Sequence, residues 1–146
     1  MLSLPEPRLL TFCRLAVEVG APQIIGPGRF GERRVVPVLG GRVSGPSISG
    51  VVQPGADWQT ISADGLVELD ARYTFRTDDD AIVEIIDRGF RHERKDPAGN
   101  PIAPYMRSTV RFETGHPRYS WINRMIFVGT GGKQGTTVHI DVYSVE

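Results

Sequence analysis

The sequence has one cysteine and three histidines in 146 residues, and no apolar run approaching the roughly 20 residues that cross a bilayer as a helix. Cys13 cannot form an internal disulfide, which fits a reducing compartment. With no His or Lys close to it in sequence, it reads as a small buried residue rather than a nucleophile. His92, His116 and His139 lie too far apart for a local metal motif, and none has Cys or His at ligand spacing. No metal site is expected. An excess of one charge is missing too: Lys plus Arg and Asp plus Glu number 17 each, so the basic surplus that a nucleic-acid surface needs is absent. There is no nucleophile elbow and no Walker loop, and no cofactor is expected. GTGGKQGTT, from Gly129 to Thr137, is glycine-rich with a lysine, but it reads as a hairpin and not as a phosphate-binding loop before a helix. Asp78-Asp79-Asp80 reads as a solvated hairpin tip rather than a cation site. The first residues, MLSLPEPRLL, carry prolines and an acid where a signal peptide has a long apolar segment. The expectation is a cytoplasmic protein whose partner is a small molecule, with neither nucleic acid nor membrane involved.

What is present is a chain of ordinary soluble composition, 40% hydrophobic and 23% charged, long enough for one domain with a real core. Its 17 glycines and 11 prolines would break most helices. The whole of 1–146 is therefore read as a single all-β domain. Leu9 to Val19 is the first strand. Glu32 to Leu39 follows, with Pro37 marking an edge or bulge and Gly40-Gly41 turning the chain. Ser47 to Gln53 and Trp58 to Ser62 come next, and Asp64-Gly65 is the strongest hairpin signal. Leu66 to Thr77, Ala81 to Ile86, Tyr105 to Thr114, Tyr119 to Val128 and Thr136 to Val145 complete about nine or ten strands, at the spacing of a sandwich or barrel. Arg91 to Pro104 is polar and proline-rich and reads as a surface loop, a candidate lid.

Candidate chemistry comes from the two faces of Leu66 to Thr77. Val67, Leu69, Ala71, Tyr73 and Phe75 share one face; Glu68, Asp70, Arg72, Thr74 and Arg76 share the other. A charged face is ordinarily a wet one, yet a barrel of eight strands holding a small ligand shows the same alternation with the polar face inward. In that arrangement Asp70 and Arg72 pair inside a cavity. Asp57 or Asp70 then moves a proton, Arg72 holds an anion, and Trp58 stacks on a ring. Trp121 and Asn123, two apart in Tyr119 to Val128, suit a wall that stacks on a flat ligand and fixes it by hydrogen bonds.

Several uncommon strings occur in order: GGRVSGPSISG, GADW at Gly55 to Trp58, LDARYTF at Leu69 to Phe75, RFET at Arg111 to Thr114, and YSWIN at Tyr119 to Asn123. On these the chain resembles, over nearly its whole length, the bacterial and fungal family known as domain of unknown function 3237, or uncharacterised protein family 0311. The resemblance implies a single antiparallel β-barrel of lipocalin-like (calycin-like) shape, often paired as a homodimer. It also implies that Asp57, Trp58, Asp70, Arg72, Trp121 and Asn123 form one internal site. Three readings stay open: a barrel that binds an aromatic or carboxylated metabolite, a cofactor-free isomerase, cyclase or lyase, and a structural barrel with a filled lumen.

Overall fold

The computed structural model describes residues 1–146 and forms ten strands and one 3-10 helix. The strands are β1 (Leu9–Val19), β2 (Gln23–Pro27), β3 (Glu32–Ser44), β4 (Ser49–Val52), β5 (Gly55–Ile61), β6 (Val67–Thr77), β7 (Ile82–Lys95), β8 (Pro101–Glu113), β9 (Ile126–Gln134) and β10 (Thr137–Val145); the 3-10 helix is Pro117–Arg124. Every pairing is antiparallel. The sheet runs β1-β10-β9-β8-β7-β6, continues through β4 and β5 to β3, and closes from β3 back to β1. β4 and β5 pair the same two neighbours on either side of Gln53-Pro54, so they form one interrupted stave. β2 takes up the edge of β3 beyond the point where β1 leaves it. The result is a closed antiparallel barrel of eight staves, which has no free edge along its wall. No helix is long and apolar enough to cross a membrane.

Closure decides which face points in. On β6, Val67, Leu69, Tyr73 and Phe75 are buried, and the alternate Glu68, Arg72 and Arg76 are exposed. The apolar face is therefore the inside, and the polar face, with Asp70 and Arg72, is the outer wall. The expectation that those charges turn inward is corrected. An eight-stave interior is only wide enough for side chains or one small ligand, and apolar groups are the ones that gain from leaving water there.

One half of the lumen is solid. Phe12, Phe112 and Phe127 stack edge-on or tilted with centroids 4.8 to 5.5 Å apart, and Phe75 meets Phe112 edge-on at 6.3 Å, all within the range of favourable aromatic contact. Leu15, Val43, Val83, Ile85 and Val142 are fully enclosed around them. The 3-10 helix closes this end, burying Tyr119 and Ile122. It replaces the first part of the strand expected at Tyr119 to Val128. Pro117 supplies the fixed φ of a helix start, and the His116 ring nitrogen accepts from the Arg118 N–H at 3.2 Å.

Two further expectations change. Gly40-Gly41 is not a turn, because β3 runs straight through it. At Gly41 φ is +136° and a Cβ would lie 2.0 Å from the Ala16 carbonyl oxygen, so glycine allows β3 to coil tightly across β1. Arg91 to Pro104 is not a loop: β7 and β8 extend as a hairpin to a tight turn at 96–100, where Asp96 accepts from the Asn100 backbone N–H at 2.8 Å. Stacking of His92 on Tyr105, with centroids 4.8 Å apart, stiffens that extension.

Candidate functional site

The other half of the lumen is hollow, with a cavity of about 240 Å³. One rung of the barrel makes its floor. Asp57 on β5 sits opposite Ala71 on β6, and Ala71 opposite Asp87 on β7. All three point inward and line the cavity. The small methyl of Ala71 leaves open space between two carboxylates. Their backbones stand two strand spacings apart, roughly 9.5 Å at about 4.8 Å per strand. At the next inward position, Gly55 stands beside Tyr73; a Cβ there would lie 2.3 Å from the Arg72 carbonyl oxygen and 2.6 Å from the Tyr73 Cβ, so glycine lets β5 and β6 approach closely at this point.

The two carboxylates have different surroundings. Asp57 accepts from Gln59 Nε2 at 2.7 Å and from the Asp70 backbone N–H at 2.9 Å, and Arg34 Nε donates to Gln59 Oε1 at 2.7 Å. Arg34, Gln59 and Asp57 thus form a relay that orients Asp57. Burial raises the Asp57 pKa, opposed by its bonds from Gln59 and the Asp70 N–H and by the charge of Arg34. Asp87 is 5% exposed, and its Oδ1 has no hydrogen-bond partner. Burial pushes its carboxyl up to about 6; the neighbouring Ser108 hydroxyl opposes this and the charge of Asp57 adds to it. The Tyr73 hydroxyl is also buried without a partner, and its pKa is raised well above the ordinary phenol value, first by burial and then by Asp87. Unpartnered buried polar atoms are costly and uncommon. Here two of them line the same cavity. Around them the walls are aliphatic, including Val36, Val38, Leu69 and Ile140, and the rim carries Arg34, Arg91 and Lys133.

Of the six residues expected to form the site, only Asp57 lies in the lumen. Trp58 follows it on β5 and points outward, 44% exposed, because consecutive strand residues face opposite sides. Asp70 is on the outer wall, 3.2 Å from Arg88 and 3.6 Å from Arg72; its backbone N–H, not its carboxylate, reaches the site. Trp121 rides on the 3-10 helix at the filled end, edge-on to Phe12 at 5.4 Å. Asn123 brackets the Thr114 backbone, accepting its N–H at 2.9 Å and donating to its carbonyl at 2.8 Å. Asn123→Ala leaves both groups without a partner, with an expected stability loss of about 1–3 kcal/mol in denaturant titration and no change at the hollow. A larger depression of about 1110 Å³ lies outside, between Asp70, Arg88, Phe90 and Tyr105. It is open, and Asp70 there already pairs with arginine, so the smaller internal cavity is the stronger candidate site. Cys13 is buried on the filled side, its thiol raised to about 12 by burial, as a structural cysteine requires. No group of three His, Cys, Asp or Glu side chains is placed to hold a metal ion.

Asp87, Tyr73, Gln59 and Arg34 escaped the sequence reading. A signal existed for Asp87: it continues the apolar series Val83, Ile85 on β7, and an acid in that register is out of place on a purely hydrophobic face.

Residues 7–145 match the family described as Protein of unknown function (DUF3237). The chain belongs to that family. A DUF3237 relative, a UPF0311 protein of Rhodopseudomonas palustris, is 45% identical over 140 residues, covering 90% of this chain and 92% of that protein. A β-barrel-like protein of Acinetobacter baumannii superposes with a TM-score of 0.93 at 30% identity over the full length of both chains. More distantly, the chain is 26% identical over 145 residues, 99% of its length and 88% of the other's, to a Penicillium herquei protein named hydroalkoxylation enzyme.

Proposed function

We propose that the hollow half of the barrel binds a small organic molecule and isomerises or cyclises it by general acid–base catalysis, with Asp87 as proton donor and Asp57 as its charged counterpart. The observation that carries this reading is the pair of unlike acids on one rung. Asp57 has its oxygens occupied by Gln59 and a backbone N–H, whereas Asp87 keeps one oxygen free and titrates at about 6. Burial raises both carboxyls, but only Asp57 has both oxygens held by donors; two acids in unlike surroundings are the usual arrangement for dividing acid and base roles, and a pKa near neutrality suits proton transfer. A purely structural barrel has no use for a hollow with unpartnered polar atoms.

The distant resemblance to a hydroalkoxylation enzyme supports the same class. In such a reaction an O–H adds across a carbon–carbon double bond. Asp87 would give its proton to one carbon, the hydroxyl oxygen would bond to the other, and the oxygen's proton would pass to Asp57. Proton exchange with water then resets the pair. Atoms and electrons balance within the substrate, so nothing is oxidised or reduced.

The test is untargeted. Metabolite extract from the host is incubated with wild type or with Asp87→Asn, and the products are separated by chromatography with mass detection. The expected result is a compound consumed by wild type with appearance of an isomer of identical mass, absent with Asp87→Asn. Identical profiles for the two proteins would remove the catalytic role, and a compound retained and released unchanged by both would favour a carrier.

A further inference from the structure

We infer that the substrate of this lumen is an anion, held at the rim by Arg34, Arg91 and Lys133 with its neutral, hydrogen-bonding end turned down to Tyr73 and Asp87; the inference rests on the reading of the hollow as a substrate site. The charges lining the cavity are sorted by depth. The carboxylates Asp57 and Asp87 are on the floor, and the three cations stand above them on three different strands, β3, β7 and β9.

A cavity evolved to take a cation would place its acids within reach of the entrance and would have no reason to ring that entrance with arginine and lysine. Here an approaching anion meets the cations first, and repulsion from the floor keeps its charged end at the rim. That fixes orientation as well as selecting the sign of charge. Lys133 has no ion-pair partner. Arg91 has only the exposed Glu93 at 3.3 Å, and Arg34 spends one N–H on Gln59 and has others to donate. The rim therefore has donors to offer a carboxylate.

At the floor, the needs are different. The Tyr73 hydroxyl and Asp87 Oδ1 are buried without partners and line the cavity, so the atoms opposite them must donate or accept a hydrogen bond. A second negative charge there would meet Asp57. A hydroxyl or carbonyl satisfies both. Between rim and floor the walls are aliphatic, which suits a ring or an unsaturated chain. The volume, about 240 Å³, is roughly that of eight waters at about 30 Å³ each. The class is thus a one-ring carboxylate, or an acid of similar size, carrying a hydroxyl or carbonyl at the far end from its charge.

A matched pair of probes tests this: 4-hydroxycinnamate and its neutral amide, titrated by NMR or calorimetry into wild type, the Arg91→Gln/Lys133→Gln double variant and Ala71→Phe. Both rim side chains reach solvent, so the double variant is expected to fold, and its thermal midpoint checks that. In wild type the carboxylate is expected to bind at least tenfold more tightly than the amide, with the advantage shrinking as salt is raised from 50 to 500 mM. The double variant is expected to bring the ratio to within twofold, and Ala71→Phe to abolish binding of both. If the two probes bind wild type equally and Ala71→Phe still removes both, the hollow remains a binding site and the anion preference is wrong. If neither probe binds, or if Ala71→Phe leaves binding intact, the hollow is not the site for such molecules and both readings fall.

Discussion

Asp87→Asn is expected to make the protein more stable near pH 7.5 by up to about 3 kcal/mol while abolishing its proton chemistry. In the unfolded chain this carboxyl titrates at the ordinary value of 3.8, and burial holds the folded one at about 6. Between those values the folded state keeps a proton that the unfolded state has lost. The contribution of Asp87 to stability is therefore complete below about pH 4, declines as pH rises to about 6, and stays at its reduced level above that. Two units at about 1.36 kcal/mol each give the size of the loss. Asparagine has no charge to bury, so the two proteins should have similar stability at pH 4 and separate progressively up to pH 6.5. Urea titrations at pH 4, 5.5 and 7.5 measure this, and a gap that does not change with pH would mean that Asp87 is not held in a desolvated site. The same substitution removes the proposed proton donor, and under that proposal turnover should fall by roughly 10²–10⁴. A residue that weakens the fold and is needed for turnover is what a site, as opposed to a scaffold position, is expected to look like.

Ala71→Phe should leave the barrel folded and empty it of ligand. Ala71 is half-buried at the middle of the rung, with Asp57 on one side and Asp87 on the other. A phenyl group there would project into the only space between the two carboxylates. Overpacking a dense core costs about 1–3 kcal/mol, but here the hollow provides room, so the thermal midpoint should move little. Ligand affinity is expected to drop at least 100-fold, about 2.8 kcal/mol. Retention of a co-purified ligand by the variant, seen by native mass spectrometry, would place the binding site elsewhere.

Much of the architecture could be read from local pattern. The alternation in Val67 to Thr77, the Asp64-Gly65 turn and the density of glycine and proline all point to short antiparallel strands, and ten are present. Arg91 to Pro104 looked like a loop because its residues are polar, but both faces of this hairpin extension are largely wet, so it needs no hydrophobic alternation to exist as strands. Tyr119 to Val128 alternates well enough for a strand, yet Pro117 and the His116 cap commit its first half to a 3-10 helix that closes the barrel end. Trp121 and Asn123 consequently serve that closed end.

Asp57 was recognisable as a candidate but Asp87 was not, and the difference has a simple origin. Asp57 lies beside a tryptophan and a turn, where an acid invites notice. Asp87 is followed by Arg88, just past the strand expected at Ala81 to Ile86, and its significance depends on being two staves from Asp57 and close to the Tyr73 hydroxyl. Those neighbours are 30 and 14 positions away in the chain, and no local spacing encodes them.

Taken alone, the residues of this chain were enough to set its class, because a period of two and the turn chemistry between strands are local properties of the backbone. They could not say which of the two faces lies inside. That followed from closure of the sheet into a narrow ring, which sent Asp70 and Arg72 out to water and left Asp57, Tyr73 and Asp87 lining one cavity.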